Sequence, residues 1–564
     1  MSTLSSYTSL SSKSNRDEVR SVLNSIINGF VRSEDTGQLA AILIKDIEAC
    51  IEKPDEKIRI SPNEINAALL SLKMLGRSLP ASVIISERNN FHILLKVMKA
   101  LYKSNTDAAY DALRCVANAL LLVEESRDTW VRVQGADYCM ELLEETKSPV
   151  CIFLCSRILF LCTVSPSSKL LASLLGSSLE GPDVVAIMSK QLVFLLKNLS
   201  TLPFSREAMT DLLKFAFNAL CHWPKIDPQA LETSDHDEGQ NLGERVLGER
   251  WSRRLDGILP SLLFVFNELP TTSSPLVPPM THILHSLLPI PVDEILISVW
   301  FSNIKLSGDL TELSLIVSNN GLRPEAQKRN EQNESTIPKV VIRGADLLDT
   351  SLHYYLPGNV DPDDASVKQI CQKDDVQLDH VLPPLLLLII KLCKSDQNCR
   401  KYLRQRIIPP DLDRSSPLES RADTLGRCIR LMACVNYHRL KDVAGDLLFV
   451  ICDSDAQVLS HQIGYGNAAG FLFNKGILSG PPEPSKDSTE TLDPSVNPIT
   501  GMINRDEPKS LPEMSEEEKE REAEKLFVLF ERLEKSGGME NPLKKALHEG
   551  KLEKYKPKDD DDSY

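Results

Sequence analysis

DALRCVANAL (Asp111–Leu120) and DLLKFAFNAL (Asp211–Leu220) lie one hundred positions apart and agree at five of ten positions. Arg114 in the first is answered by Lys214 in the second. Between them SRILFLCTV places Arg157 at the same point of the pattern, and upstream SLKMLGRS places Lys73 there. The four cations stand 41, 43 and 57 residues apart. The first two steps match the roughly 40–47-residue period of armadillo and HEAT repeats, and the third is one period with an insertion of about ten residues. Leu113, Val116, Ala117, Leu120 and Leu121 follow the i, i+3, i+4, i+7 pattern of a one-sided helix. VCIFLCSRILFLCTV (Val150–Val164) is apolar nearly all round, which suits a third armadillo helix buried between neighbours. The expected fold is therefore all-α, an armadillo/HEAT-type right-handed superhelix of about eight or nine repeats. Such an array buries its core between neighbours and presents one long concave face for binding.

Size and composition agree. A chain of 564 residues is too long for one compact core, whereas a solenoid grows in one dimension. Hydrophobic residues reach 42% while aromatics are only 5%, as in a Leu-rich helical protein. The net charge of −15 argues against nucleic acid as a partner. Thirteen cysteines contain no CxxC pair and read as small buried hydrophobes of a reducing compartment. Cys151 and Cys155 share a helix face, but without nearby His or carboxylate they are a weak metal signal. The longest greasy run, LPPLLLLII (Leu382–Ile390), is too short for a membrane span, and the Ser/Thr-rich start lacks an apolar signal region. The chain is expected to be monomeric and cytoplasmic.

Along the chain, residues 1–15 read as disordered and 16–478 as the array. Polar insertions fall at Lys225–Gly257, Arg323–Gly344 and Pro357–Asp375. Residues 479–514 hold seven prolines and almost no large apolar side chains, and read as a disordered linker. Residues 515–537 read as an amphipathic helix, opened by a Ser515/Glu518 capping box, striped by Leu526, Leu529, Phe530 and Leu533, and ended by Gly537 and Gly538. It either folds back on the array or docks on a partner. Residues 538–564 are a charged tail.

No motif supports bond-making chemistry. GYGNAAG (Gly464–Gly470) follows a helical stretch, not a strand, so it reads as a tight interhelical turn and not a phosphate cradle. His282 and His285 share a helix face without a third ligand. The strongest constellation is the basic ladder Lys73, Arg114, Arg157 and Lys214, with Asn118 and Asn218 one turn on in two repeats. Arginine can fork onto a guest carboxylate, and a side-chain amide can bond guest backbone. The plain alternative is a row of solvated helix positions. A second basic patch, CRKYLRQR (Cys399–Arg406), reads as a solvated face.

GYGNAAGFLFNKGIL, SVNPITGM and MSEEEKEREAEKLFVLFERLEK, in order behind the repeat stretches, resemble the synembryn family across most of residues 60–535. The resemblance implies a cytosolic guanine-nucleotide exchange factor and folding chaperone for heterotrimeric G-protein α subunits, with no cofactor. It implies that the groove captures the C-terminal helix of the α subunit through Lys73, Arg77, Arg114, Asn118, Arg157, Phe160, Phe217 and Asn218. Lys214 joins these as the fourth cation of the ladder. The same resemblance places Leu526, Phe527, Phe530 and Leu533 against the nucleotide-binding domain of the α subunit, and recruitment to the cell cortex through that partner. It also implies linker phosphorylation at Ser485, Ser488, Thr489 and Thr491, none of which has an acidic residue at the third position after it. A passive armadillo scaffold without exchange activity is the alternative reading.

Overall fold

A computed structural model describes residues 2–52, 59–176, 183–232, 250–302, 337–477 and 496–503. The chain separates into Met1–Met502 and Ile503–Tyr564. The 515–537 helix with Leu526, Phe527, Phe530 and Leu533, the 538–564 tail, and Ser485, Ser488, Thr489 and Thr491 lie outside the described residues.

The first unit is all-α. Its helices are α1 (Thr3–Ser9), α2 (Arg16–Ile27), α3 (Thr36–Glu52), α4 (Ile65–Leu75), α5 (Leu79–Ile85), α6 (Arg88–Leu101), α7 (Thr106–Leu122), α8 (Ser126–Arg132), α9 (Gly135–Glu145), α10 (Pro149–Cys162), α11 (Lys169–Gly176), α12 (Val184–Lys197) and α13 (Ser205–Ile226). There follow α14 (Leu259–Glu268), α15 (Met280–Leu287), α16 (Ile297–Trp300), α17 (Lys339–Tyr355), α18 (Ala365–Lys373), α19 (Leu378–Val381), α20 (Pro383–Ser395), α21 (Gln397–Ile407), α22 (Thr424–Ala433), α23 (His438–Ile451), α24 (Ala456–Ile463) and α25 (Tyr465–Asn474). The only sheet among the described residues pairs β1 (Leu231–Glu232) antiparallel with β2 (Arg250–Trp251), Leu231 facing Trp251.

The helices pack as two rows. In the front row α4, α7, α10, α13, α15, α20 and α23 each pack on the next. Behind them α3, α6, α9, α12, α14, α17 and α22 do the same, and each rear helix also packs on its front partner. The short helices α5, α8 and α11 precede the rear and front helices of the next unit, the three-helix order of an armadillo repeat.

Local chemistry sets the helix starts. Asn105 caps α7 by accepting from Ala108 N at 3.4 Å, and Ser148 caps α10 ahead of Pro149 by accepting from Cys151 N at 3.4 Å. The front helices α7 and α10 then bury all but a narrow stripe. On α10 only Val150, Phe153, Arg157 and Phe160 are less than fully buried. Their spacing of three and four residues is one line along a helix, so the other faces of α10 supply core to α7, α9 and α13.

Two expectations are corrected. The 1–15 stretch, expected to be disordered, is ordered from Ser2: Ser2 caps α1 by accepting from Ser5 N at 3.2 Å, and Tyr7 is fully buried. The Tyr7 hydroxyl donates to Asp46 Oδ2 at 2.8 Å, and Arg59 lies 5.3 Å over its ring. Tyr7 and Leu10 close the apolar end of the first helix layer, an end that would otherwise face water. Nor is 479–514 all linker, because residues 496–502 dock on the start of α25. The Pro357–Asp375 insertion also contains α18, which buries Val367 and Cys371.

Candidate partner-binding face

The four ladder cations fall on four successive front helices, α4, α7, α10 and α13. Their partners form two matching triads. Lys73 Nζ reaches Asp111 Oδ1 at 3.1 Å, and Arg114 Nη1 reaches the same oxygen at 2.8 Å. Arg157 Nε reaches Asp211 Oδ2 at 2.8 Å, and Lys214 Nζ reaches Asp211 Oδ1 at 3.0 Å. In each triad one cation comes from the aspartate's own helix, three residues on, and the other from the preceding front helix. The aspartates are the recessed members: side-chain exposure is 2% for Asp211 against 43% for Arg157, and 15% for Asp111 against 38% for Arg114. The ladder is thus an inter-repeat ion-pair tie whose outer edge is guanidinium, and not a row of open cations. A carboxylate this deep needs such partners, because an unpaired buried charge is costly.

Two aromatic rings steady the cations. Arg157 lies 4.7 Å from the Phe153 centroid and Lys214 lies 5.8 Å from that of Phe160. Phe204, at the start of α13 with φ of 67°, packs its ring 6.3 Å from that of Phe153. On the next layer Phe217 packs 5.9 Å from His285, which lies 6.3 Å from His282. Burial lowers the pKa of both histidines, and for His282 the nearby Lys214 adds to it, taking the imidazole down to about 4. Both are therefore neutral ring positions at physiological pH. Arg77 lies exposed just beyond α4.

The asparagines behave differently from the expectation of guest-reading amides. Asn218 is 7% exposed and donates through Nδ2 to Phe160 O and to Thr163 Oγ1, both at 3.2 Å. Those bonds satisfy the end of α10, so the donor side of Asn218 is spent within the array. Asn118 donates to Lys73 O at 3.2 Å but keeps a half-buried place on the face. The second basic patch is also paired: Arg400 and Arg404 reach Asp453, and Arg406 reaches Asp346 and Asp349.

GYGNAAG is a docking notch for the chain itself. Tyr465 N donates to Pro498 O at 2.9 Å and Gly466 N to Ile499 O at 2.8 Å. These are first-turn amides of α25, the groups a phosphate would otherwise take. Gly464 has φ of +84°, and a Cβ there would lie 2.5 Å from the Thr500 carbonyl carbon. Arg414 Nη1 ties the junction by donating to Gln462 O at 2.9 Å and Gly501 O at 2.8 Å. Among the described residues no group of three or more His, Cys, Asp or Glu could hold a metal ion, and no single helix is long and apolar enough to cross a membrane.

Sequence reasoning aligned Lys73, Arg114, Arg157 and Lys214 at one point of the repeat, and they fall on four successive front helices as the outer members of two ion-pair triads. It passed over Asp111, Asp211 and Phe153. The signal for the aspartates was present, since Asp opens both ten-residue stretches. For Phe153 there was only its position one turn before Arg157.

The order and extent of these features can be set against known proteins. Residues 68–551 match the family described as guanine nucleotide exchange factor synembryn. The chain belongs to the synembryn family. The match begins inside α4, just before Lys73, and takes in both triads, the α25 glycines and the segment docked on them. Among curated relatives, the Drosophila melanogaster protein named Chaperone Ric-8 is 27% identical over 475 residues, covering 78% of this chain and 72% of the relative. Chaperone Ric-8A of Xenopus tropicalis is 32% identical over 166 residues, 28% of this chain and 31% of the relative. That of Danio rerio is 30% identical over 190 residues, 32% and 34% respectively. The chain therefore spans about a third of the length of these two vertebrate relatives.

Proposed function

We propose that this chain is a guanine-nucleotide exchange factor and folding chaperone for heterotrimeric G-protein α subunits. It holds the C-terminal helix of the α subunit on the front face, with Lys73, Arg77, Arg114, Asn118, Arg157, Phe160, Lys214 and Phe217 in contact and Asn218 supporting α10 from beneath. The observation that carries this reading is a face continuous over four repeats, edged by guanidinium and aromatic side chains, in a chain of this family. A helix that ends in a free carboxylate suits a face of that chemistry.

No side chain makes or breaks a bond in this scheme. The protein binds the nucleotide-free α subunit more tightly than the GDP-bound one, and GDP leaves because the binary complex without it is favoured. Moving a population from 1:99 to 99:1 needs about a 10⁴-fold preference, roughly 5.5 kcal/mol. Holding the C-terminal helix away from its own sheet supplies that preference, and GTP reverses it by mass action. A nascent α subunit is also nucleotide-free, so the same preference protects it while it folds. The protein works as a monomer in the cytoplasm and reaches the cell cortex through its partner.

The test is GDP release from a purified α subunit with and without this protein. Accelerated release, inhibited by a peptide that copies the C-terminal helix of that α subunit, supports the reading. Peptide binding without accelerated release leaves a passive scaffold instead.

A further inference from the structure

Asp111 and Asp211 sit at the same point of two repeats and do the same thing. Each lies between two cations, one on its own helix and one on the preceding front helix, at 2.8–3.1 Å. Each is more deeply set than the arginine it holds. The arrangement has two consequences for anything that approaches. Two cations around one carboxylate leave a single net positive charge per triad, where a bare pair would present two. The arginine is also oriented. Arg157 spends Nε on Asp211 and lies against Phe153, which leaves its terminal nitrogens for a carboxylate from outside.

We propose that Asp111 and Asp211 are specificity-determining residues of the front face, set to admit a guest with one well-placed anionic group and to turn away polyacidic segments. The inference rests on the partner-binding role given above for its cognate guest, but the charge argument concerns the face alone. Discrimination needs a repulsive element as well as an attractive one. A row of uncompensated cations would attract any acidic peptide. With a carboxylate already in each triad, the second and later negative charges of such a peptide meet one anion for every two cations and gain little. One terminal carboxylate still reaches the outer edge of Arg114 or Arg157.

The experiment compares the full chain with its Asp111→Asn/Asp211→Asn variant, using a fluorescent hexaglutamate peptide and, as the cognate guest, the C-terminal peptide of an α subunit with its free carboxylate. Asparagine keeps the shape and an acceptor oxygen. The variant is expected to bind hexaglutamate about fivefold or more tighter at low salt, and to lose that gain as salt screens exposed charge. The cognate peptide gains less than about twofold, so the preference for it over hexaglutamate narrows. Adding Arg157→Gln and Lys214→Gln to the variant returns hexaglutamate binding towards the original level, an effect that mere loosening of the fold would not give. Should the double variant lose thermal stability, Asp111→Asn alone, at the more exposed of the two sites, is read in the same assay. Equal hexaglutamate affinity with and without the aspartates overturns the inference. Failure of the cognate peptide to bind either protein removes the partner reading instead, and the hexaglutamate comparison still decides the role of the aspartates.

Discussion

At the scale of the residue, the shared aspartate makes the ladder cations unequal to ordinary surface charges. Exposed ion pairs contribute little, commonly under about 1 kcal/mol. Asp211 is not exposed, and its partners are what make its burial tolerable. Arg157→Gln removes one of its two cations and is expected to cost about 1 kcal/mol in urea unfolding, because Lys214 remains. Arg157→Glu places a second carboxylate against Asp211 and is expected to cost about 3 kcal/mol. Equal costs for the two variants would mean that the Arg157–Asp211 contact is not made in solution. Charge reversal here therefore tests stability together with partner capture, and Arg157→Gln is the cleaner probe of capture. Asn218→Ala removes two buried donor contacts from the end of α10 and is expected to cost about 2 kcal/mol by the same measurement.

At the scale of the element, two junctions respond to single changes. On α15, His285 faces Phe217 and His282 packs on His285 with Lys214 and Asp211 near by, and burial lowers the pKa of both imidazoles. The folded-state pKa of His282, about 4, lies below its unfolded value of 6.5, so unfolding takes up protons between those values. Stability from this site is complete above pH 6.5 and is lost as pH falls towards 4. The melting temperature should drop between pH 7 and pH 5, and His282→Gln should flatten that drop. No flattening would mean that other groups control the acid response. At α25, Gly464→Ala places a methyl group into the Thr500 carbonyl at a positive φ. The expected outcome is release of residues 496–502, seen as about tenfold faster hydrogen exchange at Tyr465 and Gly466. Much of these elements was legible beforehand. The all-round apolar stretch at Val150–Val164 is a front helix buried on every side but one, whereas of GYGNAAG only Gly464 is the interhelical turn and Tyr465–Gly470 already belong to α25. Its occupant was not legible, because residues 496–502 sit in a proline-rich stretch of sequence with few large apolar side chains and are held mainly by backbone hydrogen bonds, which leave no compositional trace.

At the scale of the molecule, two rows of helices that contact mainly their neighbours make stability close to a sum of local terms. Leu159→Ala, at a fully buried site on α10, is expected to cost about 3 kcal/mol, with increased exchange concentrated in α7, α9, α10 and α13. Loss of protection spread evenly through α23 would contradict that picture. The family match over residues 68–551 covers this array from α4 onward, so the face, the notch and the docked segment belong to one continuous stretch.

What the sequence alone determined is what consecutive residues can encode. The helical period, the caps, the repeat length and the register that sets Lys73, Arg114, Arg157 and Lys214 on one line all follow from local spacing. The tertiary structure decided which distant groups meet: Lys73 with an aspartate 38 residues away, Arg157 with one 54 residues away, Asn218 with the end of the preceding front helix, and the turn segment 496–502 with a glycine notch. Those contacts depend on the stagger between neighbouring helices to within about an ångström, the tolerance of a hydrogen bond, and no single helix carries that information.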